Sequence, residues 1–140
     1  LDAWKTESKA FTINQNSFAE NYEKMNIGIV GGRNFNDYDH LKKTLDAYIE
    51  NKSFLTAIVS GGATGADTLA EKDAQELGVE MIVYRPDYKK FGRGVALARN
   101  TQIIEHSDVV FAFWDGKSRG TMDSVNKAKK LKKQLFIINY

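Results

Sequence analysis

Cysteine is absent from this chain of 140 residues, and proline occurs once. Without thiols there is no disulfide framework, no thiolate metal site and no cysteine nucleophile; the pattern fits a reducing compartment, and a cytoplasmic protein is the expectation. Long apolar runs are missing too. None approaches the roughly 20 residues of a membrane-spanning helix, and the opening LDAWKTESKAF lacks the basic-then-apolar order of a secretory signal, so no membrane partner is expected. Charge is nearly balanced, 20 Lys and Arg against 18 Asp and Glu, and a net charge of +2 is too small to argue for nucleic acid by itself. The two histidines, His40 and His106, have no partner at metal-ligand spacing and read as surface or capping residues; neither metal nor cofactor is expected.

What is present is an ordinary globular mixture, 42% hydrophobic and 27% charged, in a length that makes one domain with a real core. From Asn26 onward, short apolar runs alternate with longer amphipathic ones. NIGIV, LTAIVS, VEMIVY, DVVFAFW and QLFIIN are five candidate strands, continuous in hydrophobicity as strands covered on both faces must be. Between them, Leu41, Leu45, Tyr48 and Ile49 form one helical stripe. A second helix carries Ala66, Leu69, Ala70, Ala74 and Leu77 and stops at Gly78; a third spans about 93–106; a fourth runs about 121–132 with Val125, Ala128 and Leu131 inward. This alternation predicts an α/β fold: a doubly wound, Rossmann-like, five-stranded parallel sheet with helices on both faces over residues 26–140. Residues 1–25 are a polar N-terminal extension outside the pattern, readable as an extra helix, a hairpin or an arm.

In open α/β sheets ligands sit beyond the carboxyl ends of the strands, where helix N-termini converge. Those ends are where the glycines fall. Strand one runs into GGRNF with Gly31 and Gly32, strand two into SGGATGAD, and strand four into DGKSRGTMD. Glycine lets backbone amides approach an anion, and the helix that follows adds the positive end of its dipole. SGGATGAD alone reads equally as a tight turn, with Thr64 as N-cap and Asp67 three residues on. Three such loops on one edge point to a phosphate- or ribose-bearing ligand. Arg33, directly after the first glycine pair, and Arg99, in the helix before strand four, are candidates for forked phosphate contacts, or else surface ion-pair partners.

Several motifs are incomplete. GKS at 116–118 lacks the earlier glycine of a P-loop, which falls on Phe111; GIVGG is not a dinucleotide fingerprint; Ser60 has no G-x-S-x-G elbow. The basic run AKKLKKQ reads as the solvated face of the last helix or as a nucleic-acid patch.

The ordered set VGGRNFND, VSGGATGADTLAEKDA, RPDYKKFGRGVALARN and SDVVFAFWDGKSRGTMDSV resembles the SLOG group of Rossmann-like proteins, in its branch of small YspA-like proteins, over about residues 26–140. The resemblance implies a nucleotide pocket along the glycine-rich edge. It assigns as ligand-facing Gly31, Arg33, Ser60, Gly61, Gly62, Gly65, Asp67, Arg99, Asn100, Asp115, Ser118, Gly120 and Thr121. Within that group the LOG branch hydrolyses nucleoside monophosphates with a P-G-G-x-G-T-x-x-E motif, whose glutamate falls here on Ser124, while the DprA branch binds single-stranded DNA. Tyr88 stands where YspA-like members more often show Trp, which keeps an aromatic pocket wall.

The expectation is therefore a sensor or sequestering protein for a nucleotide-derived small molecule, self-associated as a dimer or larger. An N-glycosidase using Asp67, Asp115 or Asp123 is the first alternative. Single-stranded DNA binding comes after it, since no aromatic stacking row is evident.

Overall fold

The computed structural model describes residues 4–9, 25–50, 57–86 and 94–140. Five strands run parallel: β2 (Asn26–Gly31), β3 (Ala57–Ser60), β4 (Glu80–Pro86), β5 (Val109–Trp114) and β6 (Gln134–Asn139). Each lies within two residues of an apolar run read from the sequence. The N-terminal extension adds a sixth strand, β1 (Trp4–Lys9), antiparallel to β4 from Trp4 against Pro86 to Lys9 against Met81. It is neither a helix nor a separate hairpin there; it closes one border of the sheet.

The order across the sheet is β1-β4-β3-β2-β5-β6. The chain builds outward from β2 through β3 to β4, then crosses back to place β5 on the other side of β2. Strand order reverses between β2 and β5, so the loops leaving these two strands flank the switch point where open α/β sheets bind ligands.

Four helices connect the parallel strands. On one face lie α1 (Tyr38–Glu50) and α2 (Ala66–Leu77), packing Leu41, Leu45, Ala66, Ala70 and Ala74 against Ile27, Ile29, Ile58, Phe111 and Phe113. On the other lie α3 (Gly94–Glu105) and α4 (Arg119–Lys130), where Ile103, Ile104, Val125 and Ala128 meet Val30, Val59, Val110 and Ala112. Successive residues of β2 and β5 thus serve opposite layers, as strand pleating requires. The alanines of α2 let it approach closely: a Cβ on Gly31 would stand 2.6 Å from the Ala66 Cβ.

Helix ends follow local chemistry. The Asp37 carboxylate accepts the His40 N–H (3.0 Å) at the start of α1. After α2, Gly78 takes a left-handed φ of 70°, its N–H donates to Gln75 O, and the Val79 N–H donates to Ala74 O, a Schellman ending. One expectation fails: Leu131, read as inward, is 44% exposed. Helix α4 stops at Lys130, and Lys132 (φ 57°) turns the chain toward β6 before another inward position is reached. At β6 itself, Phe136 and Ile137 are also exposed.

Candidate ligand cleft at the sheet switch point

A cleft of about 420 Å3 opens at the reversal of strand order. The loop after β2 supplies Gly31, Gly32, Arg33 and Asn34; the loop after β3 supplies Ala63 and leads into Asp67; the start of α4 supplies Ser118, Gly120, Thr121 and Ser124. Helix α3 closes the side with Ala96, Leu97, Arg99, Asn100 and Ile103. The three glycine-rich corners do converge.

The first two corners touch through backbone. Gly65 has a φ of 78°, and a Cβ there would overlap the Gly32 carbonyl oxygen and stand 2.6 Å from the Arg33 carbonyl carbon. The Ala66 N–H donates to that same Gly32 oxygen (3.2 Å). Gly65, not Thr64, occupies the N-cap position of α2, and no side chain caps it. Asp67 instead folds back on the loop: its Oδ2 accepts the Ala63 N–H at 3.0 Å, while Thr68 Oγ1 donates to Ala63 O at 3.0 Å. Burial pushes the Asp67 carboxyl up to about 6, against the opposing pull of the Ala63 amide, Arg99, the Gly61 amide and Arg33.

The bareness of Gly61 and Gly62 makes room for arginine. Arg99 Nη1 donates to Gly61 O at 2.8 Å and to Tyr84 O at 3.4 Å, while its Nε donates to Asn100 Oδ1 at 3.2 Å. Arg85 Nη1 donates to Gly62 O at 2.8 Å. A Cβ on Gly61 would overlap the Arg99 guanidinium; one on Gly62 (φ 70°) would stand 2.7 Å from Val83 Cγ1 and overlap Arg85. The sequence suggested glycines baring amides to an anion. In the fold they let two guanidiniums lie against the loop, while the Ala63 N–H is taken by Asp67 and the N–H of Gly32 by Phe113 O. Arg33 is exposed, and its guanidinium forms no hydrogen bond or ion pair with a described residue.

The third corner is an aspartate-nucleated turn. Asp115 Oδ1 accepts the N–H groups of Lys117 and Ser118, both at 2.8 Å, and the Ser118 amide, then that of Lys117, holds its carboxyl below the usual range. Ser118 caps α4, its Oγ accepting from the Thr121 N–H (3.5 Å) and Oγ1 (3.2 Å). Asn100 Nδ2 bridges from α3 to Gly120 O (3.4 Å) and Asp123 Oδ2 (3.2 Å). Lys127 Nζ binds Asp123 Oδ2 (2.7 Å) and Leu97 O (2.6 Å), joining the two helices that flank the cleft.

Nine of the residues singled out from the sequence line the cleft: Gly31, Gly32, Arg33, Asp67, Arg99, Asn100, Ser118, Gly120 and Thr121. Gly61 and Gly62 border an adjoining hollow. Ser60 is fully buried at the end of β3 and lines neither space, and its Oγ has no partner among the described residues. Gly65 serves the contact between corners, Asp115 the turn, and Asp123 the link to Lys127. Sequence reading missed Asn34, Ala96, Leu97 and Ile103, although helical spacing from Arg99 gives Ala96 and Ile103 directly. It also missed Arg85, which carries no local signal. Tyr88 lies outside the described residues. His106 stacks on Tyr84 and shares a 2.8 Å contact with its hydroxyl; among the described residues no group of side chains fits a metal.

Residues 25–91, which hold the first two corners and Arg85, match the family described as YspA, cpYpsA-related SLOG. That stretch is similar to the YspA-related SLOG proteins. The gene 61 protein of Mycobacterium phage D29 is 28% identical over 108 residues, 73% of this chain and 86% of the phage protein. DNA processing protein A from Helicobacter pylori, solved for its single-stranded DNA binding mode, is 26% identical with a TM-score of 0.59 over 81% of this chain. DprA from Streptococcus pneumoniae shares the fold at 18% identity, TM-score 0.64, over 97% of this chain. The chain spans 64% of the length of each of these two proteins. No helix among the described residues is long and apolar enough to cross a membrane.

Proposed function

We propose that residues 26–140 form a binding unit whose cleft holds a nucleotide or nucleotide-derived small molecule without cleaving it, as a sensor or sequestering protein. The observation that carries this reading is the opening of the α4 N-terminus onto the cleft together with the exposed Arg33 and an apolar strip of Ala96, Leu97 and Ile103. Helix N-termini and a guanidinium fork suit phosphate; the strip suits the flat face of a base. The cleft volume, about 420 Å3, falls within the roughly 300–1,000 Å3 of small-molecule sites. A cytoplasmic setting and self-association belong to the same proposal.

The carboxylates favour binding over hydrolysis. Asp115 is committed to two amides and Asp123 to Lys127 and Asn100, while Ser124 stands where a LOG-type hydrolase has its glutamate. Asp67 lines the cleft but also organises the loop that carries it. A thermal-shift screen against nucleoside mono-, di- and cyclic phosphates tests the reading, and stabilisation by none at saturation refutes it. Release of free base that disappears in Asp67→Asn would move the assignment to an N-glycosidase.

A second reading, single-stranded nucleic acid, is supported by the likeness to the Helicobacter pylori protein. It predicts affinity that falls steeply with salt and rises with strand length.

A further inference from the structure

Of the glycines that line the cleft, Gly31 and Gly32 are bare because the fold requires it: a Cβ on Gly31 would stand 2.6 Å from the Ala66 Cβ, and one on Gly32 would overlap the Tyr140 hydroxyl. Gly120 is different. It lies in the first turn of α4, and a Cβ there would meet nothing within 4 Å. Glycine in a helix is destabilising relative to alanine, so the bareness of Gly120 weakens α4 without relieving any contact within the chain. The space it leaves belongs to the cleft.

One turn further along the same helix face, Ser124 lines the cleft and is 2% exposed. A serine inside a helix commonly donates to the carbonyl one turn back. Here that carbonyl, Gly120 O, accepts Asn100 Nδ2 at 3.4 Å, and Ser124 Oγ forms no hydrogen bond with a described residue. Unlike the enclosed Ser60 Oγ, it is open to the cleft. A buried hydroxyl left unpaired is costly, and a ligand that pairs it removes the cost.

The buried Val30 and Ile103 line the cleft with Ser124, so a phosphate set at that depth would give up its hydration for a single hydroxyl. Phosphate is better placed outward, at the exposed Arg33 and the start of α4. The group that follows phosphate in a nucleotide is the sugar, and Ser124 stands about one helical pitch, roughly 5.4 Å, beyond Gly120. Ribose and serine hydroxyls each donate and accept, and so satisfy one another. We propose that Ser124 hydrogen-bonds a ribose hydroxyl across the bare Gly120, and that the cleft thereby prefers ribonucleotides to deoxyribonucleotides. This rests on the nucleotide-binding reading above.

The test is calorimetric titration of the full chain with the four ribonucleoside 5′-monophosphates and their 2′-deoxy and 3′-deoxy counterparts, repeated on Ser124→Ala and Gly120→Ala. Thermal shifts by ribose 5-phosphate and 2-deoxyribose 5-phosphate form a base-independent arm. Losing the bond and leaving Ser124 unpaired predicts that at least one of the deoxy forms of the nucleotide that binds is about tenfold weaker in the parent. In Ser124→Ala the ribonucleotide should weaken to within about threefold of that deoxy form, whose own affinity stays unchanged. Gly120→Ala should melt at the same or a higher temperature yet bind both sugars about tenfold less tightly, a pairing of effects that a merely structural glycine does not give. Equal affinity for ribo and deoxy forms in the parent overturns the assignment and leaves the cleft reading standing, as does a preference that survives Ser124→Ala. Unaltered affinity in Gly120→Ala overturns the placement across that glycine. Binding of none of the monophosphates or sugar phosphates refutes the nucleotide reading itself.

Discussion

The Tyr140 hydroxyl donates to Asn34 Oδ1 at 2.6 Å, tying the residue that follows β6 to the first corner of the cleft. The Tyr140 ring also packs on Phe35, centroids 4.8 Å apart, and a Cβ on Gly32 would overlap its hydroxyl. Tyr140→Phe keeps the ring contact and removes the bond. The expected cost is about 0.5–1.5 kcal/mol in urea unfolding, with a few-fold loss of nucleotide affinity as Asn34 is released. An unchanged affinity would show that the cleft does not depend on this tether.

Two glycines with similar backbone angles should respond very differently to alanine. Gly116 (φ 82°) has open space where a Cβ would go, so Gly116→Ala carries only the left-handed backbone penalty, about 1 kcal/mol. Gly65 (φ 78°) adds overlap with the Gly32 backbone, and Gly65→Ala is expected to cost about 3 kcal/mol or more. Chemical denaturation of the pair separates backbone preference from corner-to-corner packing.

Arg99→Lys keeps a positive charge but cannot reproduce the set of bonds to Gly61 O, Tyr84 O and Asn100 Oδ1. Stability should fall by about 1–3 kcal/mol and nucleotide affinity by about tenfold, read by thermal melting and calorimetry. Affinity that survives while stability falls would confine Arg99 to a scaffolding role.

Asp73 is fully buried on α2, 3.4 Å from Lys42 Nζ, and its Oδ2 has no partner among the described residues. Burial, helped by the charge of Asp46, pushes its carboxyl up to about 6 from an ordinary 3.8. Between those values the folded state holds more protons than the unfolded state, so this group's contribution to stability is fully present below about pH 4 and is lost as pH rises through 6. Asparagine imitates the protonated acid. The stability of Asp73→Asn relative to the parent should therefore rise by on the order of 2 kcal/mol between pH 4 and 7, in urea titrations at each pH. A difference independent of pH would refute the assignment. Asp67, raised in the same direction, gives the parent a second contribution of the same sign.

The parallel strands were legible because each is a nearly unbroken apolar run; β5, VVFAFW, is buried along all but its last position. By contrast WKTESK has no such run, and β1 owes its place to the backbone groups that β4 leaves open on that side. Leu131 misled because helical periodicity says which face turns inward but not where the helix stops. At the site, glycine density located the rim correctly. It gave no hint of Arg85, which reaches Gly62 from 23 residues away and becomes visible only once β3 and β4 lie side by side.

Strands β1 and β6 are the two outer strands of the described sheet, and at β6 the apolar side chains Phe136 and Ile137 meet water. Such a border invites a further strand from a neighbouring molecule, and natural proteins discourage this with lysines. Here Lys129, Lys130, Lys132 and Lys133 stand just ahead of it. Their repulsion is electrostatic and weakens as ions accumulate around it. Concentrated solutions of this protein should accordingly stay clear at low ionic strength and begin to scatter light as sodium chloride is raised.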